Sequence, residues 1–68
     1  MNSANLIKMA NQIGTFFAAM PDREQAIQDV AKHIALTWEP RMIEALRTHI
    51  DKAGDGELTD IVRQALAQ

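Results

Sequence analysis

Two prolines and one glycine-rich loop divide this sequence into four segments, and that division constrains the fold more than any other feature. Pro21 and Pro40 cannot continue a preceding helix, because proline lacks a backbone N–H and restricts the residue before it. Gly54-Asp55-Gly56 is typical of a helix end followed by a loop. Between these breaks, apolar residues recur at the three- and four-residue spacing of a helix face. The sequence predicts an all-α fold, a small three- to four-helix bundle.

Residues with capping chemistry stand at the start of each segment. Asn2 or Ser3 can cap the first helix. Asp22 precedes a glutamine by three positions, the spacing of a capping box. Pro40 suits the first position of the third helix, where no N–H is needed. Thr59 is the predicted cap of a fourth helix, which is so short that we expect it to form only when packed.

The chain has 68 residues and no cysteine, so we expect one domain over residues 1–68 that has no disulfides. For a chain of this size, the gain from burying apolar surface and the entropy lost on ordering nearly cancel. A partner that binds only the folded state would therefore add stability that matters.

The first segment has a wider apolar arc than one buried stripe requires. Its main stripe consists of Leu6, Met9, Ala10, Ile13, Phe16, Phe17 and Met20. At ~100° per residue this stripe covers ~120°, and Ile7 with Gly14 widens the arc to ~180°. Two interpretations stay open: the flank of Ile7 and Gly14 is a second contact surface, or it packs against the fourth helix. Phe16 and Trp38 are expected in the core, whereas Leu36 falls opposite its stripe and is expected on the surface.

The charge balance argues against two classes of partner. A net charge of −2 is unlike that of general nucleic-acid or anionic-membrane binders, which neutralise phosphates with Lys and Arg. No segment has the length of apolar sequence that crosses a bilayer, and the first residues lack the pattern of a signal peptide. We therefore expect a cytoplasmic protein that binds neither nucleic acid nor membrane.

The sequence offers no convincing catalytic or metal-binding motif. The segment from Asp51 to Gly56 resembles the opening of an EF-hand loop, but Ala53 and Val62 stand where carboxylates are needed. His33 and His49 lie on different predicted helices and lack further ligands at metal-binding spacing. We therefore expect no enzyme activity and no metal site in this chain.

Five blocks of the sequence carry a family resemblance: Met9-Ala10-Asn11-Gln12-Ile13-Gly14, Phe16-Phe17, Met20-Pro21-Asp22-Arg23, Ala31-Lys32-His33-Ile34 and Trp38-Glu39-Pro40-Arg41-Met42. Together they resemble the delta subunit of soluble NAD-dependent formate dehydrogenases. The likeness runs from about Leu6 to Met42 and continues weakly to the Gly54 loop. It departs at Thr59-Asp60, where the resemblance leads us to expect a serine–proline helix start.

The resemblance implies a small accessory subunit that has no catalytic residues and binds no cofactor. Its partner would be the catalytic (alpha) subunit of a formate dehydrogenase and the complex around it. That complex is expected to carry molybdopterin guanine dinucleotide, iron–sulfur clusters, FMN and NAD. The implied role is to support stability or assembly, including maturation of the molybdopterin-bearing subunit.

The family blocks and the wide apolar arc suggest which residues bind the partner. The hypothesis names Ile7, Asn11, Gln12, Gly14, Phe17 and Arg41. Arg41 offers a bidentate fork, and Phe17 is the kind of aromatic residue that anchors interfaces. Arg41 could equally cover the ring of Trp38 or cap a helix end.

A self-associating helical module with a regulatory role unrelated to formate is the alternative function. The acidic balance and the wide apolar face fit this reading equally well. It predicts that the isolated chain forms a stable homo-oligomer and has no heterologous partner.

Overall fold

The computed structural model describes residues 2–68 and contains four helices in that part of the chain. They are α1 (Ser3–Ala18), α2 (Arg23–Thr37), α3 (Pro40–Ala53) and α4 (Asp60–Leu66). No strand occurs among residues 2–68, so the predicted all-α fold is confirmed. Helix α1 contacts each of the other three helices, which makes it the central element of the bundle.

Two helix starts show the predicted side-chain capping, whereas Thr59 precedes α4 without a side-chain cap hydrogen bond. The side chains of Asn2 and Asp22 accept hydrogen bonds from the backbone N–H groups of Ala4 (2.9 Å) and Gln25 (3.2 Å). The second hydrogen bond of a capping box, from the backbone N–H of Asp22 to the side chain of Gln25, does not form. The Gln25 amide donates instead to Asp29 Oδ1 at 2.9 Å. Side-chain competition of this kind is common between residues four positions apart on a helix.

Both predicted breaks after α2 are confirmed. Pro40 is the first residue of α3, and Gly54 ends that helix in the left-handed region at φ 84°. Its N–H donates to the carbonyl of Ile50 at 2.7 Å, which satisfies one of the free carbonyls at the helix end. The segment that resembles an EF-hand opening is therefore a helix C-terminus and loop.

The core is one continuous cluster to which all four helices contribute. Its buried side chains are Leu6, Ile7, Ala10, Ala26, Val30, Ile34, Trp38, Leu46, Leu58, Ile61, Val62 and Ala65. Leu46, Val30 and Val62 are its largest fully buried members. Trp38 is buried and Leu36 is 74% exposed, and both placements confirm the expectations from sequence.

The placement of Phe16 in the core was wrong. Its side chain is 66% exposed, and Met20 beyond the end of α1 is 43% exposed. The reason is the rotation of α1, whose fully buried residue Ala10 faces the core between Leu6 and Gly14. Phe16 lies ~120° around the helix from Ala10, outside the buried sector.

Candidate functional site

The two flanks of α1 differ in what covers them. One flank, from Ile7 to Gly14, faces α4 and is buried. The other runs from Met9 to Phe16 and borders an open groove shared with α2 and the start of α3. Of the two interpretations that the sequence left open for the flank of Ile7 and Gly14, packing against the fourth helix is the one that the structure shows at Gly14.

Gly14 allows α4 to approach α1 closely. A Cβ atom added at Gly14 would lie 2.6 Å from Cγ2 of Val62 and 3.0 Å from Cγ2 of Ile61. Ile7, about two turns earlier on the same flank, is buried as well. The assignment of Ile7 and Gly14 to a partner-binding surface is thus corrected, because the chain's own fourth helix occupies that position.

Asn11 ties α1 to the loop that leads into α4. Its Nδ2 donates to the carbonyl of Glu57 at 2.9 Å, and its Oδ1 accepts from the N–H of Thr59 at 3.0 Å. An asparagine amide offers both a donor and an acceptor, so one side chain fixes two backbone groups. Both polar atoms of Asn11 are thus engaged within the chain, and the docking role expected for this residue stays a prediction.

The groove on the other flank is the candidate functional site, and we call it the α1–α2 groove. Its volume is about 670 Å³, and its lining consists of Met9, Gln12, Ile13, Phe16, Phe17, His33, Thr37, Trp38 and Met42. Gln12 and Phe17, two residues named from the sequence, are brought together here. The lining contains no Lys, Arg, Asp or Glu, so its surface is apolar with few polar groups.

Aromatic packing gives the groove a defined wall. The ring of Phe17 lies edge-on to Phe16 at 5.1 Å between centroids and edge-on to His33 at 6.0 Å. Edge-to-face pairs at such distances are favourable geometries for aromatic side chains. The Thr37 hydroxyl donates a hydrogen bond to the carbonyl of His33, one turn earlier on α2, at 2.7 Å. The polar groups that face the groove are therefore mainly the Gln12 amide and the His33 imidazole.

A shallow hollow of about 340 Å³ adjoins the groove beyond His33, and the charged residues Asp29 and Lys32 are part of its lining. Leu36 lines this hollow, and Phe17, His33 and Thr37 belong to both depressions. Phe16 and Leu36, two of the exposed large hydrophobic side chains, therefore flank the same Phe17–His33 pair. We call the α1–α2 groove together with Leu36 the open face.

The exposed part of α1 is also poor in charge. Lys8 is the single charged residue of α1, whereas all nine acidic residues of the chain lie at Asp22 or later in the sequence. Helix α2 carries four charged residues and α3 carries five. Protein interfaces are depleted of charged residues at their centres and enriched in aromatic residues and methionine. The composition of α1 together with its open face is that of an interface.

Arg41 is not part of the open face. Its side chain is 78% exposed and lies beside Glu39, Nε to Oε2 at 3.4 Å. It borders a separate hollow together with Ser3 and Lys52. An exposed pair of this kind contributes little to stability.

Sequence reasoning did not place Met9, Ile13, His33, Thr37 or Met42 in a site. The signal that could have found them is the combination of an overly wide apolar arc with a helix that has no acidic residue. Periodicity alone does not say which part of such an arc the core will cover.

No constellation for metal binding is present within residues 2–68, where no three His, Asp or Glu side chains are grouped suitably. His33 belongs to the groove, whereas His49 lies beside Glu57, Nε2 to Oε1 at 3.5 Å without hydrogen-bond geometry. None of the helices described between residues 2 and 68 has the length and apolar character needed to cross a membrane.

Comparison with known proteins identifies the family of the chain. Residues 5–66 match the sequence family described as the NADH-dependent formate dehydrogenase delta subunit, FdsD. Searches among curated proteins and among solved structures found no match to this chain. The family match spans all four helices, including both flanks of α1. The chain therefore belongs to the family of NADH-dependent formate dehydrogenase delta subunits.

Proposed function

We propose that this protein is a non-catalytic accessory subunit that binds a formate dehydrogenase complex in the cytoplasm through its open face. The observation that carries the proposal is a large apolar groove on a helix with one charged residue, in a chain of the delta-subunit family. Exposed apolar surfaces of this kind mark sites of protein–protein interaction.

The partner we propose is the catalytic (alpha) subunit. The chain supports the stability or the assembly of the complex, including maturation of the molybdopterin-bearing subunit. Molybdopterin guanine dinucleotide, iron–sulfur clusters, FMN and NAD belong in this proposal to the partner complex, and this chain binds none of them.

Binding of this kind would stabilise both partners. A ligand that binds only the folded state adds about 2.7 kcal/mol when its free concentration is a hundred times Kd. For a chain as short as this one, such a contribution is comparable to a large part of its total stability. The open face therefore suits a subunit that remains bound to a larger protein.

A deletion experiment tests the proposal. Cells that lack this chain are assayed for formate-dependent NAD reduction and for the amount of assembled complex, with the restored gene as control. We expect both quantities to fall in the deletion strain, and the tagged chain to copurify with the active complex in the restored strain. Unchanged activity without copurification would contradict the proposal.

Adding the purified chain to extracts of the deletion strain separates the two roles. Immediate recovery of activity would support a stabilising subunit. Rebinding without recovery would support an assembly role that acts before the cofactor is inserted. A homodimer that binds no heterologous protein would instead support the alternative of a self-associating module.

A further inference from the structure

The wall that α1 contributes to the groove has the spacing of a helix-packing surface. Met9, Ile13 and Phe16 lie at positions i, i+4 and i+7 of α1 and all line the groove. At 1.5 Å per residue, this row is about 10 Å long. His33 and Thr37 form the facing row on α2, again four residues apart. Two parallel rows with a depression between them form a cleft into which the side-chain ridge of another helix can pack.

The chemistry of the groove favours a polypeptide over a small molecule. Small-molecule sites bury most of the ligand surface and fix its orientation with several convergent polar groups. Here the Gln12 amide and the His33 imidazole are the main polar groups, and Phe16 on the outer wall is 66% exposed. A flexible apolar surface rich in methionine and aromatic residues is typical of grooves that receive an amphipathic helix.

Charge also restricts the occupant. No charged side chain other than His33, when protonated, lines the groove, and α1 carries only Lys8. A partner ridge with Asp, Glu, Lys or Arg pointing into the groove would lose hydration without gaining an ion pair. The matching ridge is therefore uncharged and aliphatic or aromatic.

A second copy of the chain fits this surface less well. In a two-fold dimer the same face meets itself, so one concave groove would lie opposite another. A stable dimer also buries ~800 Å² per subunit, which is about a fifth of the 4466 Å² surface of this chain. Phe16, with two thirds of its side chain open, supplies roughly 130 Å² of this. Phe16, Met20 and Leu36 supply only part of that area, and because the groove is concave, a second concave copy cannot fill the remainder, whereas the convex ridge of a helix can.

We infer that the α1–α2 groove binds one amphipathic helix from a larger subunit of the complex. Apolar side chains of that helix at i, i+4 and i+7 would insert between the Met9–Phe16 row and the His33–Thr37 row, with Trp38 and Met42 lining the groove between them. This inference rests on the proposed function, because that function supplies the partner.

The absence of cysteine from the chain makes a site-specific test direct. Phe16→Cys provides a single thiol on the groove wall, which is labelled with a benzophenone maleimide. Gln64→Cys, at an exposed position of α4, is the matched control. Each labelled full-length chain is added to the complex from the deletion strain, irradiated, and the cross-linked peptides are identified by mass spectrometry.

The expected cross-links from Phe16→Cys fall within one helix of one larger subunit, at residues three or four positions apart. Yields from Gln64→Cys should be about tenfold lower, as for a site outside the interface. Cross-links from position 16 to a second copy of the chain, to a strand or to a loop would overturn the inference. Absence of cross-links while the chain remains bound would overturn the inference and docking through the open face, and would leave the accessory role in the complex intact.

Affinity measurement gives a second, independent readout. Phe16→Asp places a carboxylate on the groove wall and is expected to weaken binding to the complex roughly 30-fold or more, the loss typical of an interface hot spot. Gln64→Asp should bind as the unmodified chain does, and circular dichroism checks that both variants fold. If Phe16→Asp unfolds the chain, Gln12→Asp, at an exposed position that lines the same groove, replaces it with a smaller expected loss.

Unchanged affinity of the folded Phe16→Asp or Gln12→Asp chain would place docking elsewhere and overturn the inference. If the unmodified chain also fails to bind the complex, the proposed function fails as well. The two failures are thus distinguishable by the behaviour of the unmodified chain.

Discussion

The two flanks of α1 differ in how closely another helix can approach them. The α4-facing flank contains Ala10 and Gly14, whose small side chains let another helix come close. The flank along the open face carries Met9 and Phe16, which are too large for such an approach and border a groove instead. The small residue Gly14 therefore allows close packing within the chain, whereas Met9 and Phe16 on the other flank keep apolar surface available to another protein.

Polar contacts reinforce this difference. Asn11 links the α4-facing flank to the backbone of Glu57 and Thr59, which orders the loop and the start of α4. On the open face, the hydroxyl of Thr37 bonds within its own helix and makes no bridge from α2 to α1. The covered flank is thus secured by specific hydrogen bonds, and the open face is held together by apolar contact.

The largest effect on folding should come from filling the space at Gly14. Gly14→Val forces Val62 and Ile61 of α4 to move, because the added Cβ alone would lie 2.6 Å and 3.0 Å from their methyl groups. We expect a loss of about 3 kcal/mol in the free energy of unfolding, measured by urea denaturation. Gly56→Val is the control, since nothing lies within 4 Å of a Cβ at that position. Equal stability of the two variants would show that α4 does not pack closely on α1.

A smaller loss is expected when the hydrogen bonds of Asn11 are removed. Asn11→Ala deletes both contacts to the loop before α4 and should reduce the free energy of unfolding by about 2 kcal/mol. Hydrogen exchange should speed up at the amides of α4 more than at those of α2. Gln12→Ala, at the exposed neighbouring position, serves as control and should change stability by less than about 0.5 kcal/mol.

Removing the exposed ring of Phe16 should hardly affect folding. Phe16→Ser is expected to change the free energy of unfolding by about 0.5 kcal/mol or less, because the side chain is already 66% exposed. Thermal and urea denaturation of the purified chain measure this. A loss of several kcal/mol would mean that Phe16 supports the core and that the two flanks of α1 are less different than their exposure indicates.

The smallest effect is expected at Arg41. Arg41→Ala removes an exposed pair with Glu39 and should leave both stability and affinity for the complex almost unchanged. Gln12→Ala, in contrast, removes a side chain that lines the groove and should weaken binding by a few-fold, the effect of one modest hydrogen bond. A calorimetric titration of both variants into the complex compares them. A larger loss at Arg41 would place the docking surface on the opposite side of the start of α3.

Much of the architecture was predictable because its signals are local. Pro21, Pro40 and Gly54 act through their own backbone chemistry, so they mark helix boundaries whatever the tertiary packing. Asn2 and Asp22 cap neighbouring backbone groups for the same reason. The burial of Trp38 and the exposure of Leu36 followed from their positions relative to one clear stripe on α2.

The site was only partly predictable, because its residues depend on how α1 rotates in the bundle. Gln12 and Phe17, named from the sequence as partner-binding residues, line the groove, and their binding role is still a prediction. Ile7 and Gly14 were placed on the wrong side, since an arc of ~180° is compatible with more than one buried sector. The hydrogen bonds of Asn11 join residues far apart in sequence, and no local sequence pattern predicts such contacts.

The sequence by itself determined four helices, their boundaries and an α1 with more apolar surface than one stripe needs. Only the tertiary structure decided which flank of α1 is covered. Close approach at Gly14 and the amide of Asn11 position α4 on one side, and the large side chains on the other side are left facing solvent. That choice depends on packing between distant segments, where shape and hydrogen-bond geometry decide among faces that hydrophobicity alone leaves equivalent.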